Sequence, residues 1–168
     1  MKYYFKLFML LPVGLFTAII IYPFLHELSH SMCAIAFGAN VVNFSLFPLP
    51  SVVCSFETMS NARMFFIAIS GTIIPLLLCI AVRSKIFWIN YIKILIIVIS
   101  ILSFLISIFG FIFAPEILLN QDDLVRFSAL ITGGNVVSLA ICIIGIFISF
   151  LILLKTLKKC EFFSYFQN

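Results

Sequence analysis

The sequence predicts an all-α membrane protein, with about four transmembrane helices and a short interfacial β-like hairpin at residues about 41–56. Hydrophobic residues make up 64% of the chain and charged residues only 10%, and the mean hydropathy is +1.30. A soluble domain is about half apolar and about a quarter charged, so lipid must be the solvent for most of this chain. We expect a single integral membrane domain, residues 1–168. The net charge of +4 is too small and too scattered to indicate nucleic-acid binding.

Four apolar stretches reach the roughly 20 residues that a helix needs to cross a bilayer. They lie at about 7–25, 64–82, 91–114 and 135–154. The first should continue as helix to about 37, where Gly38 is a natural stop. Pro23 should kink or restart this helix, because proline donates no backbone hydrogen bond. The N-terminal stretch lacks a convincing small-residue cleavage site, so we expect an uncleaved first span rather than a signal peptide.

The basic residues predict the orientation of these spans, because cytoplasmic loops carry an excess of lysine and arginine. With four spans and a cytoplasmic N-terminus, eight of the ten basic residues lie inside and only Arg63 and Arg126 lie outside. The inside set is Lys2, Lys6, Arg83, Lys85, Lys93, Lys155, Lys158 and Lys159. We therefore expect a multi-pass protein of the cell membrane with both termini in the cytoplasm.

The segment between the first two spans has the pattern of a β-hairpin. Residues 41–46 and 52–56 alternate in polarity and are rich in β-branched side chains, and residues 48–51 form a plausible turn with two prolines. The segment is too apolar for a free loop. We expect it to lie in the membrane interface or between helices.

The sequence His26-Glu27-Leu28-Ser29-His30 carries the strongest chemical signal in the chain. Histidines four residues apart lie one helical turn apart on the same face, so both imidazoles can bind one zinc ion. Glu27 beside them can act as the general base that takes a proton from a zinc-activated water. The chain has only these two histidines, and ionisable groups at membrane depth call for a functional explanation. A chance pentapeptide and a non-catalytic metal site are the alternatives.

A catalytic zinc site needs a third protein ligand, and no third histidine exists. Asp122 and Asp123 lie on the same predicted side of the membrane as the histidines. In a helix, Asp123 shares an apolar face with residues 127, 130 and 131, whereas Asp122 can pair with Arg126 at i, i+4. We favour Asp123 as the third ligand, with Asp122 as the alternative. Both aspartates could instead cap a short helix that begins near Gln121.

Four other residues are weaker candidates for the site. Cys33 is in phase with the two histidines, but close packing of a small residue is the better explanation, so Cys33 is only a minor ligand candidate. Glu57 and Glu116 are further candidate acids, and Glu57 is also compatible with an exposed loop position. Gly71 is a small residue near the start of the second span, which suits close approach of another helix.

The order of these elements resembles the site-2 protease family of intramembrane zinc metalloproteases. The shared features are His26-Glu27-Leu28-Ser29-His30 in a leading apolar span, a strand-like hydrophobic loop and a later aspartate. The resemblance implies that His26 and His30 are zinc ligands, that Glu27 is the general base and that a downstream aspartate completes the site. It also implies that the strand segment receives the substrate as an added strand. The family usually has its aspartate in an Asp-Gly motif, which this chain lacks, and commonly has a cytoplasm-facing site.

The sequence therefore favours a zinc endopeptidase that acts on a membrane protein or a membrane-associated peptide. Two functions from other classes remain as alternatives. One is a metal-binding transporter or accessory subunit that does not hydrolyse peptides. The other is a membrane factor that acts by binding a partner, with a motif that has lost activity.

The predicted orientation can be measured directly with reporter fusions. Fusions after Lys6, Lys85 and Lys159 should report a cytoplasmic location, and fusions at Ser51 and Glu116 should report an external one, because the basic residues concentrate in the first group of loops. Paired alkaline phosphatase and green fluorescent protein fusions at each position serve as mutual controls. The reverse pattern would contradict the orientation but not the metal site.

Overall fold

The fold is given by a computed structural model that describes residues 2–46, 48–56, 59–113, 122–129 and 131–160. It is an all-helical membrane protein with one small hairpin. The helices are α1 (Lys2–Phe16), α2 (Tyr22–Ala36), α3 (Asn61–Ala81), α4 (Phe87–Phe113), α5 (Asp123–Ser128) and α6 (Gly134–Cys160). The strands are β1 (Asn40–Ser45) and β2 (Ser51–Ser55). Four helical segments of the described chain are long and apolar enough to cross a membrane: Leu7–Ala36, Asn61–Ala81, Phe87–Phe113 and Gly134–Lys158.

The first transmembrane segment contains the break that Pro23 predicts. Residues Thr17–Ile21 form a π-helical turn between α1 and α2, and Pro23 lies in the first turn of α2, where its missing N–H costs little. The chain nevertheless remains helical from α1 to the end of α2. Gly38 follows with a φ of +84°, a left-handed conformation that glycine adopts without strain. The predicted stop of the helix is therefore confirmed.

The other spans begin and end within a few residues of their predicted limits. Helix α3 begins three residues before the predicted 64, after Ser60 in an extended conformation. Helix α6 extends beyond the predicted 154 to Cys160, through the lysines that follow the apolar stretch. Long basic side chains allow this extension, since they carry their charge to the membrane surface from a helix that continues past the hydrocarbon.

The predicted hairpin is confirmed. Strands β1 and β2 pair antiparallel, with Phe44 opposite Val52 and Ser45 opposite Ser51. The register shifts between Val41 and Asn43, as in a β-bulge. Both strands contact α2, with β2 making the more extensive contact. The hairpin therefore packs beside the helix that carries the histidines.

Two helix pairs, α2 with α3 and α4 with α6, form most of the helix packing. Large apolar side chains such as Tyr22, Phe65, Ile97 and Phe104 fill the core. Buried serines lie among them, and Ser100 and Ser149 each donate a hydrogen bond to the carbonyl four residues earlier. Small residues of this kind allow close approach of helices in a membrane, and the bond to their own helix satisfies the hydroxyl.

Candidate metal centre

His26 and His30 meet on one face of α2, as their spacing predicts. Their Nε2 atoms lie 3.0 Å apart, and the rings cross nearly at right angles with centroids 4.5 Å apart. Both residues belong to the first candidate membrane span, in which His30 is buried and His26 is partly buried. Two imidazole nitrogens therefore converge on one point inside the helical bundle.

Asp123 brings a carboxylate to the same point from α5. Its Oδ2 lies 3.2 Å from His30 Nε2 and 3.9 Å from His26 Nε2. One donor atom from each of the three residues lies within 4.8 Å of the others, so the described residues include a group that could hold a metal ion. The helical phase of the residues that follow also favours Asp123 over Asp122 as the third ligand.

A second hydrogen bond fixes the orientation of His30. Its Nδ1 lies 2.7 Å from the backbone carbonyl oxygen of Ile67 on α3. Because a carbonyl can only accept, Nδ1 must carry the hydrogen, and in the neutral ring Nε2 then has a free lone pair. Histidine ligands of metals are commonly oriented in this way. His26 differs, since its Nδ1 is buried and has no hydrogen-bond partner among the described residues.

Gly71 on α3 lies directly against both imidazoles. A Cβ added at this position would come within 2.5 Å of His30 Nε2 and 2.6 Å of His26 Cε1, which is far shorter than a van der Waals contact. Next to it, the hydroxyl of Ser70 donates to the carbonyls of Ile67 and Ser29 and so connects α3 to α2. The expectation that Gly71 permits close helix approach is confirmed, and the side chains it accommodates are the two histidines.

Asp122 has a separate role from its neighbour. Its Oδ1 accepts the backbone N–H of Val125, and its backbone carbonyl accepts that of Arg126, which makes Asp122 the N-cap of α5. Its Oδ2 accepts a hydrogen bond from the hydroxyl of Ser107 on α4, at 2.7 Å. The capping alternative thus holds for Asp122, although the sequence favoured its pairing with Arg126. Asp123 begins the helix and faces the histidines.

The charge of Asp123 is stabilised where it lies. Burial alone would raise the pKa of this carboxyl, but the nearby imidazoles of His26 and His30 outweigh burial and hold the pKa well below its usual range. Two imidazole nitrogens and one anionic carboxylate oxygen are together a suitable set of donors for a divalent cation.

Glu27 faces a cavity of about 610 Å³ between α2, α3, α5 and the hairpin. Its carboxylate interacts with both histidines and Asp123 and accepts a hydrogen bond from the backbone N–H of Val52 in β2. Burial raises the pKa of the Cys54 thiol, and the nearby Glu27 carboxylate raises it further. The cavity thus places the carboxylate of Glu27, the imidazole of His30, Asp123 and strand β2 around one space.

Among the remaining candidates from the sequence, Cys33 is described and lies outside this group. The thiol of Cys33 points to the backbone carbonyl of Phe66, with the sulfur 3.9 Å from the oxygen, so Cys33 belongs to the α2–α3 packing. Glu57 and Glu116 lie outside the described residues. Two groups of the site, the Ile67 carbonyl and the Ser107 hydroxyl, could not be predicted from the sequence. No sequence signal identifies either, because a backbone acceptor and a serine in a hydrophobic span are both common.

Comparison of the chain with protein-family models, with curated proteins and with solved structures found no match. The site must therefore be interpreted from its own geometry. That geometry consists of three convergent donor atoms, an adjacent carboxylate and a cavity with a strand along one wall.

Replacing Gly71 by alanine tests the close packing around the histidines. The methyl group should displace both imidazoles and reduce bound metal by at least about tenfold, an effect of the size expected when the support of a metal ligand is disturbed. Gly14→Ala is the control, because its methyl would meet the Tyr91 hydroxyl at 3.2 Å and Leu95 at 4.0 Å, and neither of the histidines. Metal content is measured by elemental mass spectrometry on purified protein. Equal metal content in both variants would contradict the geometry.

The two aspartates can be separated by the same conservative substitution. Asp123→Asn removes the anionic donor and should reduce metal affinity by at least about 100-fold, more than the usual loss for an indirect partner. Asp122→Asn should leave affinity within about threefold, because asparagine caps a helix about as well as aspartate. Competition with a metal chelator measures both. A larger loss of metal affinity in Asp122→Asn than in Asp123→Asn would show that Asp122, and not Asp123, is the ligand.

Proposed function

We propose that this chain is a membrane-embedded zinc metalloprotease that hydrolyses a peptide bond of a membrane protein or membrane-associated peptide. The observation that carries the proposal is the convergence of His26 Nε2, His30 Nε2 and Asp123 Oδ2 beside Glu27. Two histidines from the His-Glu-x-x-His pattern and one carboxylate are a ligand set of hydrolytic zinc enzymes. The resemblance to the site-2 protease family, drawn from the motif and the order of elements, is in keeping with this proposal.

The donor distances suit a zinc ion. With zinc–nitrogen and zinc–oxygen distances near 2.1 Å, two ligands of a tetrahedral site lie about 3.4 Å apart. The three donor pairs here lie 3.0, 3.2 and 3.9 Å apart, so small rotations of the side chains would bring all three to this spacing. His26, His30 and Asp123 would hold the metal and leave a fourth position for water or substrate.

When bound, zinc supplies Lewis-acid chemistry, since it lowers the pKa of a coordinated water and polarises a carbonyl oxygen. The protein supplies the proton transfers. The Glu27 carboxylate takes a proton from the attacking water and can pass it to the amine nitrogen that leaves the cleaved bond. The backbone N–H of Val52, which lines the same cavity, stabilises the charge of this carboxylate.

The hairpin gives the cavity a means of holding an extended peptide. Strand β2 pairs with β1 along one edge only, among the described residues, and residues Ser51–Cys54 line the cavity. A peptide that adds to the second edge would satisfy its backbone hydrogen bonds and present its carbonyl carbon near Glu27 and the metal ligands. We accordingly propose an extended, not a helical, segment as the bound form of the substrate.

The proposal also includes the side of the membrane on which the site lies. The excess of basic residues at one end of the spans supports cytoplasmic termini and a metal site toward the external side of the cell membrane. Substrates would then be cut near the external surface. This side differs from the one common in the family that the chain resembles.

The test separates metal binding from proteolysis. Glu27→Gln should retain about one zinc per chain, because the ligands are intact, and should lose at least about 100-fold in cleavage rate, because an amide cannot accept the proton. His26→Ala and His30→Ala should lose both zinc and cleavage. Zinc is measured by elemental mass spectrometry. Cleavage is measured by labelling new protein N-termini in membranes of cells that express each form.

The controls distinguish the other candidate functions. Membranes with Asp122→Asn protein should show the wild-type set of new N-termini at matched expression. If wild type and Glu27→Gln produce identical N-termini while both bind zinc, the protein is a metal-binding factor without protease activity. If no variant changes the zinc content of the protein, the metal site itself is wrong.

A further inference from the structure

A second cavity lies at the other end of the bundle from the histidines. It has a volume of about 550 Å³ and is bordered by the end of α3, the start of α4 and the last turns of α6. Its polar lining includes Arg83, Lys93 and Lys155 together with the buried side chains of Asn90 and Thr156. No carboxylate is present among its described lining residues. Residue 93 of α4 lies at this end of the bundle and residue 107 lies at the end with the histidines. The two are about 21 Å apart along the helix axis.

The rim of this cavity is a structured loop. The Lys93 ammonium donates to the Val82 carbonyl at 2.8 Å, and the Asn90 amide donates to the Ser84 carbonyl at 3.2 Å. The Ile86 backbone N–H donates to the Ser84 hydroxyl. These bonds hold the turn between α3 and α4 against α4, and the exposed Arg83 in this turn lines the same cavity as Lys155.

An apolar groove continues from this basic cavity along the bundle. The groove has a volume of about 270 Å³, and every residue that lines it is apolar. It lies between α3 and α6 with Phe104 of α4 behind it, because α3 and α6 pack far more against other helices than against each other. Ile80 and Ile152 line both the groove and the basic cavity, so the two spaces adjoin.

We propose that the basic cavity and the adjoining groove form a binding site for an anionic phospholipid. The phosphate would lie between Arg83 and Lys155, and one acyl chain would lie in the groove past Ile80 and Ile152. Charge complementarity selects the headgroup, since basic pockets between transmembrane helices bind anionic lipid headgroups. The apolar groove favours a lipid over a soluble phosphate, because only a lipid can occupy the basic cavity and the adjoining groove with one molecule. The site is independent of the proposed protease activity.

The test measures lipid binding to the purified full-length protein in neutral detergent by native mass spectrometry. Dioleoylphosphatidylglycerol should bind at least about tenfold more tightly than dioleoylphosphatidylcholine. Arg83→Gln with Lys155→Gln should weaken phosphatidylglycerol binding about 25-fold, at about fivefold for each cation near a lipid headgroup. Lys85→Gln with Lys158→Gln is the matched control, because it removes the same charge from the same end without altering the cavity lining. It should change binding by less than about threefold.

A second pair of variants tests the acyl-chain groove. Ile148→Trp fills the groove and should weaken the binding of dioleoylphosphatidylglycerol by at least about tenfold. Binding of dihexanoylphosphatidylglycerol, whose acyl chains are short, should be nearly unaffected. Ile143→Trp, at an exposed position of the same helix outside the groove, is its control. Equal binding of both headgroups, or equal losses in the two charge variants, would overturn the proposal. Displacement of the lipid by glycerol phosphate at similar concentration would show that the site binds anions and not lipids. A dimer that is lost when Arg83 and Lys155 are substituted would show that this surface is a protein interface.

Discussion

The candidate metal centre depends on the close contact between α2 and α3 at Gly71. Both imidazoles lie against the backbone at this position, where even a methyl group has no room. The same contact allows His30 Nδ1 to reach the Ile67 carbonyl at 2.7 Å. In a membrane, helices gain little from hydrophobic association, so small residues and interhelical hydrogen bonds determine which faces pack together. The packing of these two helices and the orientation of the ligands are therefore one structural feature.

The two histidines are supported unequally, and this has a consequence for the site. His30 is held at both nitrogens, by Ile67 on one side and by the donor cluster on the other. His26 has a buried Nδ1 without a hydrogen-bond partner among the described residues. Its ring is therefore oriented mainly by packing, including the nearby ring of Tyr22. In the proposed metal site, His30 would be the fixed ligand, and His26 would be the one that adjusts as the three donors move to metal-binding distances.

Most of the fold could be predicted from the sequence, because lipid imposes a simple rule on a chain this apolar. Each span is visible as a long hydrophobic run, and Gly38 and Pro23 mark the end and the break of the first helix. The spacing of His26 and His30 likewise predicts their meeting, and helical phase separates Asp123 from Asp122. The sequence could not show what Asp122 binds, since its partner Ser107 is 15 residues away and on another helix. Nor could it reveal the groove between α3 and α6, which arises from how helices pack.

The distribution of charge connects the fold to the proposed chemistry. Three described carboxylates, those of Glu27, Asp122 and Asp123, lie at the metal end, and Arg83, Lys93 and Lys155 line the cavity at the other end. Asp122 is satisfied by the start of α5 and by Ser107. Glu27 interacts with the two histidines more strongly than with Asp123, and only its interaction with Asp123 is repulsive. A divalent cation between the two carboxylates would offset this repulsion. The arrangement that would supply a base beside the proposed ligands is therefore also one that a dication would stabilise.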